Sequence, residues 1–291
     1  MSDKKIAIIT MIAATLLSSA AAAVTKKGLG EIPPFSFVFL RLFVATICIL
    51  PFFLYLKGHK TSKMKELVPI SLFATGNLIF FVLGLTFTTA NIGSVIYAAV
   101  PLIAGFIIYL FFKEKLPVDK QTGTLIGFAG VLLITFLPLL EKGNAFSGNL
   151  FGNALLVIGI ISWSSYLVFS KKLQEKYSPF IITCYCIFVS SVVLFPFFLW
   201  ELQSNFGWWL HIGGWGIFSV LYLAIFISIF SYLLNQYTVK HGGAVFAGTM
   251  FYLMPIFGFG INFWLLGEQL TPIFIFGSIL ALLGTYLVVR K

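Results

Sequence analysis

Charge is what this chain has least of. Only 10% of its 291 residues are Asp, Glu, Lys or Arg, against about 25% in ordinary soluble domains. With 59% of residues hydrophobic, there is too little polar surface to cover a soluble globule, so a bilayer is the medium. Catalytic signatures are missing too. No G-x-x-x-x-G-K-[ST] loop is present, so ATP does not drive the chain directly. Neither H-E-x-x-H nor G-x-S-x-G occurs, and metallo and serine hydrolysis lack their parts. No cofactor or metal site is predicted. The three cysteines, Cys48, Cys184 and Cys186, lie in apolar stretches, where they read as small packing residues.

What is present is long apolar runs. A hydrocarbon core about 30 Å thick takes roughly 20 apolar residues per helix. Ten stretches approach that length, at 6–24, 35–56, 67–86, 92–112, 122–140, 150–170, 179–200, 213–235, 243–266 and 272–289. They are continuous rather than alternating, which excludes a membrane β-barrel. The predicted fold class is all-α, a polytopic membrane protein of ten transmembrane helices.

Orientation follows from Lys and Arg, which stay with cytoplasmic loops. Numbering the non-membrane segments in order, fifteen of the 19 fall in odd segments, three in even ones, and Arg41 lies inside helix 2. Both termini are expected on the cytoplasmic side of a plasma or inner membrane. The net charge of +10 is thereby explained by topology, and no nucleic-acid partner is implied.

One segment is written twice. "PLIAGFIIYLFFKEKL" from Pro101 returns 154 residues later as "PIFGFGINFWLLGEQL" from Pro255, without its lysines. Ala90 and Ala244, Gly123 and Gly277, and Gly130 and Gly284 keep that offset. Earlier in the chain, Lys26 and Lys171, Pro34 and Pro179, and Pro51 and Pro196 are offset by 145. The surplus of nine residues falls between predicted helices 7 and 8. Residues 1–140 and 150–291 therefore read as two five-helix repeats within a single membrane domain. An odd number of helices per repeat inverts the second, so the loop after helix 4 is cytoplasmic and basic while the loop after helix 9 is external and uncharged by lysine. Inverted repeats are a build typical of secondary transporters, with the site near the midplane.

The segments "ANIGSVIYAAVPLIAGFIIYLFFKEKL" and "AVFAGTMFYLMPIFGFGINFWLLGEQL", with "RLFVA" at Arg41–Ala45, resemble the drug/metabolite transporter superfamily and its ten-helix EamA-type branch. The resemblance implies a metabolite or drug exporter with a substrate cavity at the centre of the bundle. The chain departs from the family's frequent Trp in helix 1, which here reads "LLSSAAAA", and has Trp163 in helix 6.

Polar and aromatic residues near helix midpoints are the candidate substrate-binding set. Asn77 is central in helix 3, where an amide must find either a neighbouring helix or a solute. Its repeat equivalent is Ser231, beside Tyr232. Tyr97 and Tyr252 precede Pro101 and Pro255 by four and three residues. Each proline frees the carbonyl four residues earlier, so both are candidate gating bends. Trp163 and Tyr166 in helix 6 are read as packing or contact residues. Arg41, roughly 9 Å into helix 2 at 1.5 Å per residue, either snorkels to the outer interface or faces the vestibule and attracts a substrate carboxylate. Glu114 and Glu268 read as helix-end anchors.

All nine acidic residues lie in predicted loops or at helix ends, and His59, His211 and His241 in predicted loops. Cationic drugs generally need a buried counter-anion, so a neutral or zwitterionic small solute such as an amino acid fits better. A multidrug or organic-cation exporter and a non-transporting scaffold remain alternatives. "TGTLIGFAG", with Gly123 and Gly127 four apart, supports either a homodimer or close packing within the bundle.

Overall fold

The computed structural model describes residues 2–58, 63–113, 118–204 and 206–289, with the side chains of 118–121, 206, 252, 285, 288 and 289 outside that description. Among the described residues the chain is helical with no strand, as hydrocarbon demands: only a helix satisfies its own backbone polar groups along a single segment. The helices are α1 Asp3–Leu29, α2 Pro34–Tyr55, α3 Met64–Phe87, α4 Ala90–Phe112, α5 Val118–Thr135, α6 Leu150–Leu173, α7 Pro179–Ser204, α8 Gly214–Gly242, α9 Ala244–Leu266 and α10 Pro272–Val289. Eight of these are long and apolar enough to cross a membrane. The other two, α5 and α10, contain the shorter apolar stretches Thr122–Thr135 and Pro272–Gly284. α2, α7 and α10 begin on proline, whose fixed φ suits a first turn and whose missing N–H would be unpaired there anyway.

Boundaries differ from the sequence expectation in informative places. α1 runs past both expected ends, with a turn at Ser19–Ala20. α8 continues seven residues beyond 235, carrying His241 into a helix end rather than a loop, where it pairs with Asp3 at 2.8 Å. The surplus between α7 and α8 contains a 3₁₀ turn, Phe206–His211. Glu114 lies outside the described residues.

Helices at equivalent places in the two halves pack against each other antiparallel. Thr46 of α2 and Ser191 of α7, related by the 145 offset, share a hydrogen bond of 3.1 Å. At the end of the same pair, Glu201 accepts from the amides of Phe35 and Ser36 at 3.2 and 2.6 Å, capping the start of α2. α5 and α10 approach through glycine. A Cβ added at Gly130 would lie 2.3 Å from the Ala281 nitrogen and 2.7 Å from the Gly277 oxygen. One at Gly284 would lie 2.1 Å from the Gly127 nitrogen and 2.6 Å from the Gly123 oxygen. Under the 154 offset these two sets of neighbours exchange places. The glycine stripe of α5 is thus occupied by α10 of the same chain. The remaining close pairs also exchange: α3 lies on α6, with Gly84 against Gly152, and α1 on α8, with Thr10 bonded to Thr238 at 2.8 Å.

Replacing Gly130 with Leu should lower the thermal midpoint sharply and reduce the monodisperse yield, because backbone rather than a movable side chain blocks the added atoms. Gly260, with open space around its Cα, should accept Ala without loss, and with a gain of up to about 1 kcal/mol from helix propensity. Fluorescence-detected unfolding of both variants checks the contrast, and a Gly130→Leu protein as stable as its parent would sink the account.

Candidate binding cavity

A cavity lies where α1, α2, α3, α4, α6, α8 and α9 converge, so both halves of the chain line it. It gathers Arg41, Asn77, Tyr97, Trp163, Ser231 and Tyr232, six residues singled out in the sequence. Each comes from a helix midsection, and together they put hydrogen-bonding groups on an otherwise apolar wall.

Asn77 serves both alternatives raised by the sequence. Its Nδ2 donates to the Gly159 carbonyl on α6 at 3.1 Å and to the Tyr97 hydroxyl, and the residue still lines the cavity. Gly159 permits this approach, since a Cβ there would stand 2.7 Å from the Tyr97 hydroxyl. On the opposite wall, Ser18 and Ser231 share a bond of 2.6 Å between α1 and α8.

Arg41 does not snorkel. It is 2% exposed, its Nε donates to Ser228 Oγ at 2.8 Å, and its guanidinium reaches the Tyr232 hydroxyl at 3.5 Å and stands 5.9 Å from the centre of that ring. Packing of α2 against α8 directs the side chain inward, where serine and tyrosine hydroxyls replace the water that the outer interface would have supplied.

Aromatic rings form one side of the cavity. Trp163 lies 5.1 Å from Tyr232 and 6.1 Å from Phe251, and Phe251 lies 5.7 Å from Tyr97, centre to centre. Tyr166 is buried behind Trp163, 5.1 Å away, and does not line the cavity. Tyr252 belongs to α9, between the lining residues Phe251 and Met254, and its side chain lies outside the described set.

The two prolines behave differently. α4 is broken between Tyr97 and Val100, just before Pro101. Pro255 instead sits inside the unbroken stretch Met250–Leu266, and α9 breaks six residues earlier at Thr249. α9 therefore carries a break in addition to its proline. Thr249 Oγ1 bonds back to the Phe246 carbonyl at 2.7 Å, a local bond that competes with the helix ladder. The two breaks meet, since a Cβ on Gly248 would stand 3.1 Å from the Pro101 nitrogen.

Several lining residues escaped the sequence reading. Asn235 fell on the expected end of helix 8 and is brought inside by the longer α8. Leu223–Ser231 winds as a π-helix, a form frequent at functional sites, and nothing in the residue pattern announces it.

A layer of polar contacts lies a turn beyond the lining residues Ala22 and Ser94. Glu268, in the connection from α9 to α10, accepts from the amides of Ala90 and Asn91 at 2.7 and 2.8 Å and caps α4. Lys26 donates to the Thr88 carbonyl, and Asn262 Nδ2 to Asn91 Oδ1 at 2.8 Å. Burial raises the Glu268 pKa above its ordinary value, an effect eased by the two amides and the Lys26 charge.

The family description "EamA-like transporter family" matches residues 5–136 and again 150–290. The chain belongs to the EamA-like transporter family. Among its relatives are an uncharacterized transporter of Archaeoglobus fulgidus, 27% identical over 91% of this chain and 92% of that one, and the uncharacterized transporter YyaM of Bacillus subtilis, 25% identical over 95% and 91%. A WAT1-related protein of Arabidopsis thaliana is 25% identical over 85% and 76%. A solved crystal structure shares the fold with a TM-score of 0.67 at 18% identity, over 97% of this chain and 95% of that one. Membership makes this EamA-like chain a multi-span membrane protein, and it points to a transporter rather than an enzyme.

Interhelical hydrogen bonds in membranes average about 0.6 kcal/mol. A double-mutant cycle of Asn77→Leu and Tyr97→Phe should therefore return a coupling of roughly 0.5–1.7 kcal/mol, and strict additivity would remove this bond from the account. For Glu268, the sign is set by a pKa raised on folding. The native state holds the proton longer than the unfolded one, so its contribution to stability falls as pH rises from the ordinary 4.5 through the raised value. The thermal midpoint of the wild type should accordingly fall relative to that of Glu268→Gln across this window.

Proposed function

We propose that this protein is a secondary transporter that exports amino acids or related neutral or zwitterionic solutes by alternating access between two inverted five-helix repeats. The observation that carries the reading is the cavity lined from both halves, an apolar space into which Arg41, Asn77, Tyr97, Ser231 and Tyr232 bring polar groups. The exchange of glycine neighbours between α5 and α10 supports a two-fold relation between halves, as symmetric interfaces require. The double match of one family description supports the same division.

In this reading all ten helices cross the membrane, both termini are cytoplasmic, and the membrane is the plasma or inner membrane. The layer of Glu268, Asn91, Asn262 and Lys26 then closes the external side. The solute sits against Asn77, Tyr97 and the Trp163 wall. Movement of one half against the other opens this layer, and the contact between Pro101 and Gly248 couples the two helix breaks. An organic-cation exporter is disfavoured because Arg41 places a positive charge in the cavity and no carboxylate among the described residues lines it. A homodimer would use a face other than the glycine stripe.

Counterflow in proteoliposomes with labelled amino acids, nucleosides and organic cations tests the proposal. Amino-acid exchange is expected, reduced at least tenfold in Asn77→Leu protein that remains monodisperse. Pro101→Ala should lower turnover more than apparent affinity. Silence across the panel from well-folded protein would favour a scaffold instead, and exchange of cations alone would overturn the solute class.

A further inference from the structure

The cavity holds a charge without its counterpart. Arg41 is buried, its described partners are the hydroxyls of Ser228 and Tyr232, and the ion pairs among the described residues, Lys176 with Glu66 and His241 with Asp3, lie elsewhere. Taking a cation out of water is costly unless it is paired. Hydroxyls orient a guanidinium but do not neutralise it, and its planar fork matches a carboxylate.

Two further groups are left unsatisfied. The Trp163 Nε1–H, buried on the cavity wall, has no acceptor. Asn235 donates through Nδ2 to Met250 Sδ and the Ala247 carbonyl, while its Oδ1 is buried without a donor. Asn235 lies one turn beyond Tyr232 on the same face of α8, about 4.5 Å along the axis. A donor-rich end, from Arg41 and Trp163, and a lone acceptor therefore occupy one cavity. Tyr232 thus stands between the two, touching the Arg41 guanidinium on one side and lying one turn from Asn235 on the other.

We propose that Arg41 and Asn235 form a two-point receptor for an α-amino acid, the guanidinium taking the carboxylate and Asn235 Oδ1 the ammonium. The proposal rests on the transporter reading and names the contacts that select the solute. Trp163 adds a donor to the carboxylate side. Phe251, Met250 and Met254 supply an apolar wall for the side chain. With no carboxylate to hold it, the ammonium is read by an amide oxygen and aromatic faces, so the carboxylate dominates recognition.

Matched sets of ligands separate the two points. Binding to purified protein is measured for phenylalanine, phenylalaninamide, 3-phenylpropanoate and 2-phenylethylamine, and for the corresponding leucine and alanine sets. In at least one set the amino acid should bind tightest, and removal of the carboxylate should weaken it at least tenfold. Removal of the ammonium should weaken it less, and Asn235→Leu should abolish that difference. Arg41→Gln should lose the preference for acids while melting at or above the wild-type temperature, because an unpaired buried charge is gone; Arg41→Lys should keep the preference at lower affinity. Amides or amines bound as tightly as acids, no acid bound in any set, or a marked loss of stability in Arg41→Gln would each overturn the receptor. Counterflow on the same ligands keeps the two readings apart. Amine exchange insensitive to Arg41→Gln leaves a transporter without this receptor, whereas acid binding without exchange leaves the receptor and removes the transporter.

Discussion

A helix start in hydrocarbon has amides that no water will satisfy, and the structure depends on how these are met. At one end of the bundle they are met by carboxylates from other helices. Glu201 of α7 caps α2, Glu268 caps α4, and Glu31, between α1 and α2, accepts from Gly213 and Gly216 at the start of α8 at 2.9 and 2.7 Å. Each cap is a bond between distant parts of the chain. They explain why so few acidic residues suffice, and why those few sit at helix ends. The favourable alignment of negative charge with the positive end of a helix adds to each bond.

Given that frame, the cavity follows from what remains in the middle. Midsections contribute one or two polar groups each, and these mostly satisfy one another across helices: Asn77 with Gly159 and Tyr97, Ser18 with Ser231. Among the residues that line the cavity, Trp163 Nε1 and Asn235 Oδ1 are left without a partner and Arg41 without a counter-charge, and these three give the space its polar character. A bundle held only by packing would have no reason to leave them together.

Much of this was legible in the sequence. Run length located the helices, and the offset of 145 makes Thr46 and Ser191 equivalent positions, but that equivalent helices touch there came only from the structure. Asn77, Tyr97, Trp163, Ser231 and Tyr232 were found because an isolated polar or aromatic side chain deep in an apolar run is visible without coordinates. Asn235 was lost to a helix boundary set by hydropathy, which cannot see that a polar stretch stays helical when α1 packs beside it. Of the two readings of Arg41, burial removes the snorkelling one, which the sequence could not do because distance along a helix says nothing of which way a side chain faces. The break at Thr249 in α9 was not foreseen, because a hydroxyl that bonds back to the Phe246 carbonyl after a glycine leaves no mark in hydropathy.

The two ends of the bundle are fastened by different physics. Of the capping carboxylates Glu201 and Glu268 are buried and Glu31 half-buried, whereas the contacts at the other end, Lys176 with Glu66 and His241 with Asp3, include strongly exposed partners. Mobile ions screen exposed pairs over about 8 Å at physiological ionic strength and barely reach buried ones. Salt therefore weakens the contacts at one end of the bundle and leaves the capped end nearly untouched, so the two ends of one molecule answer differently to ionic strength.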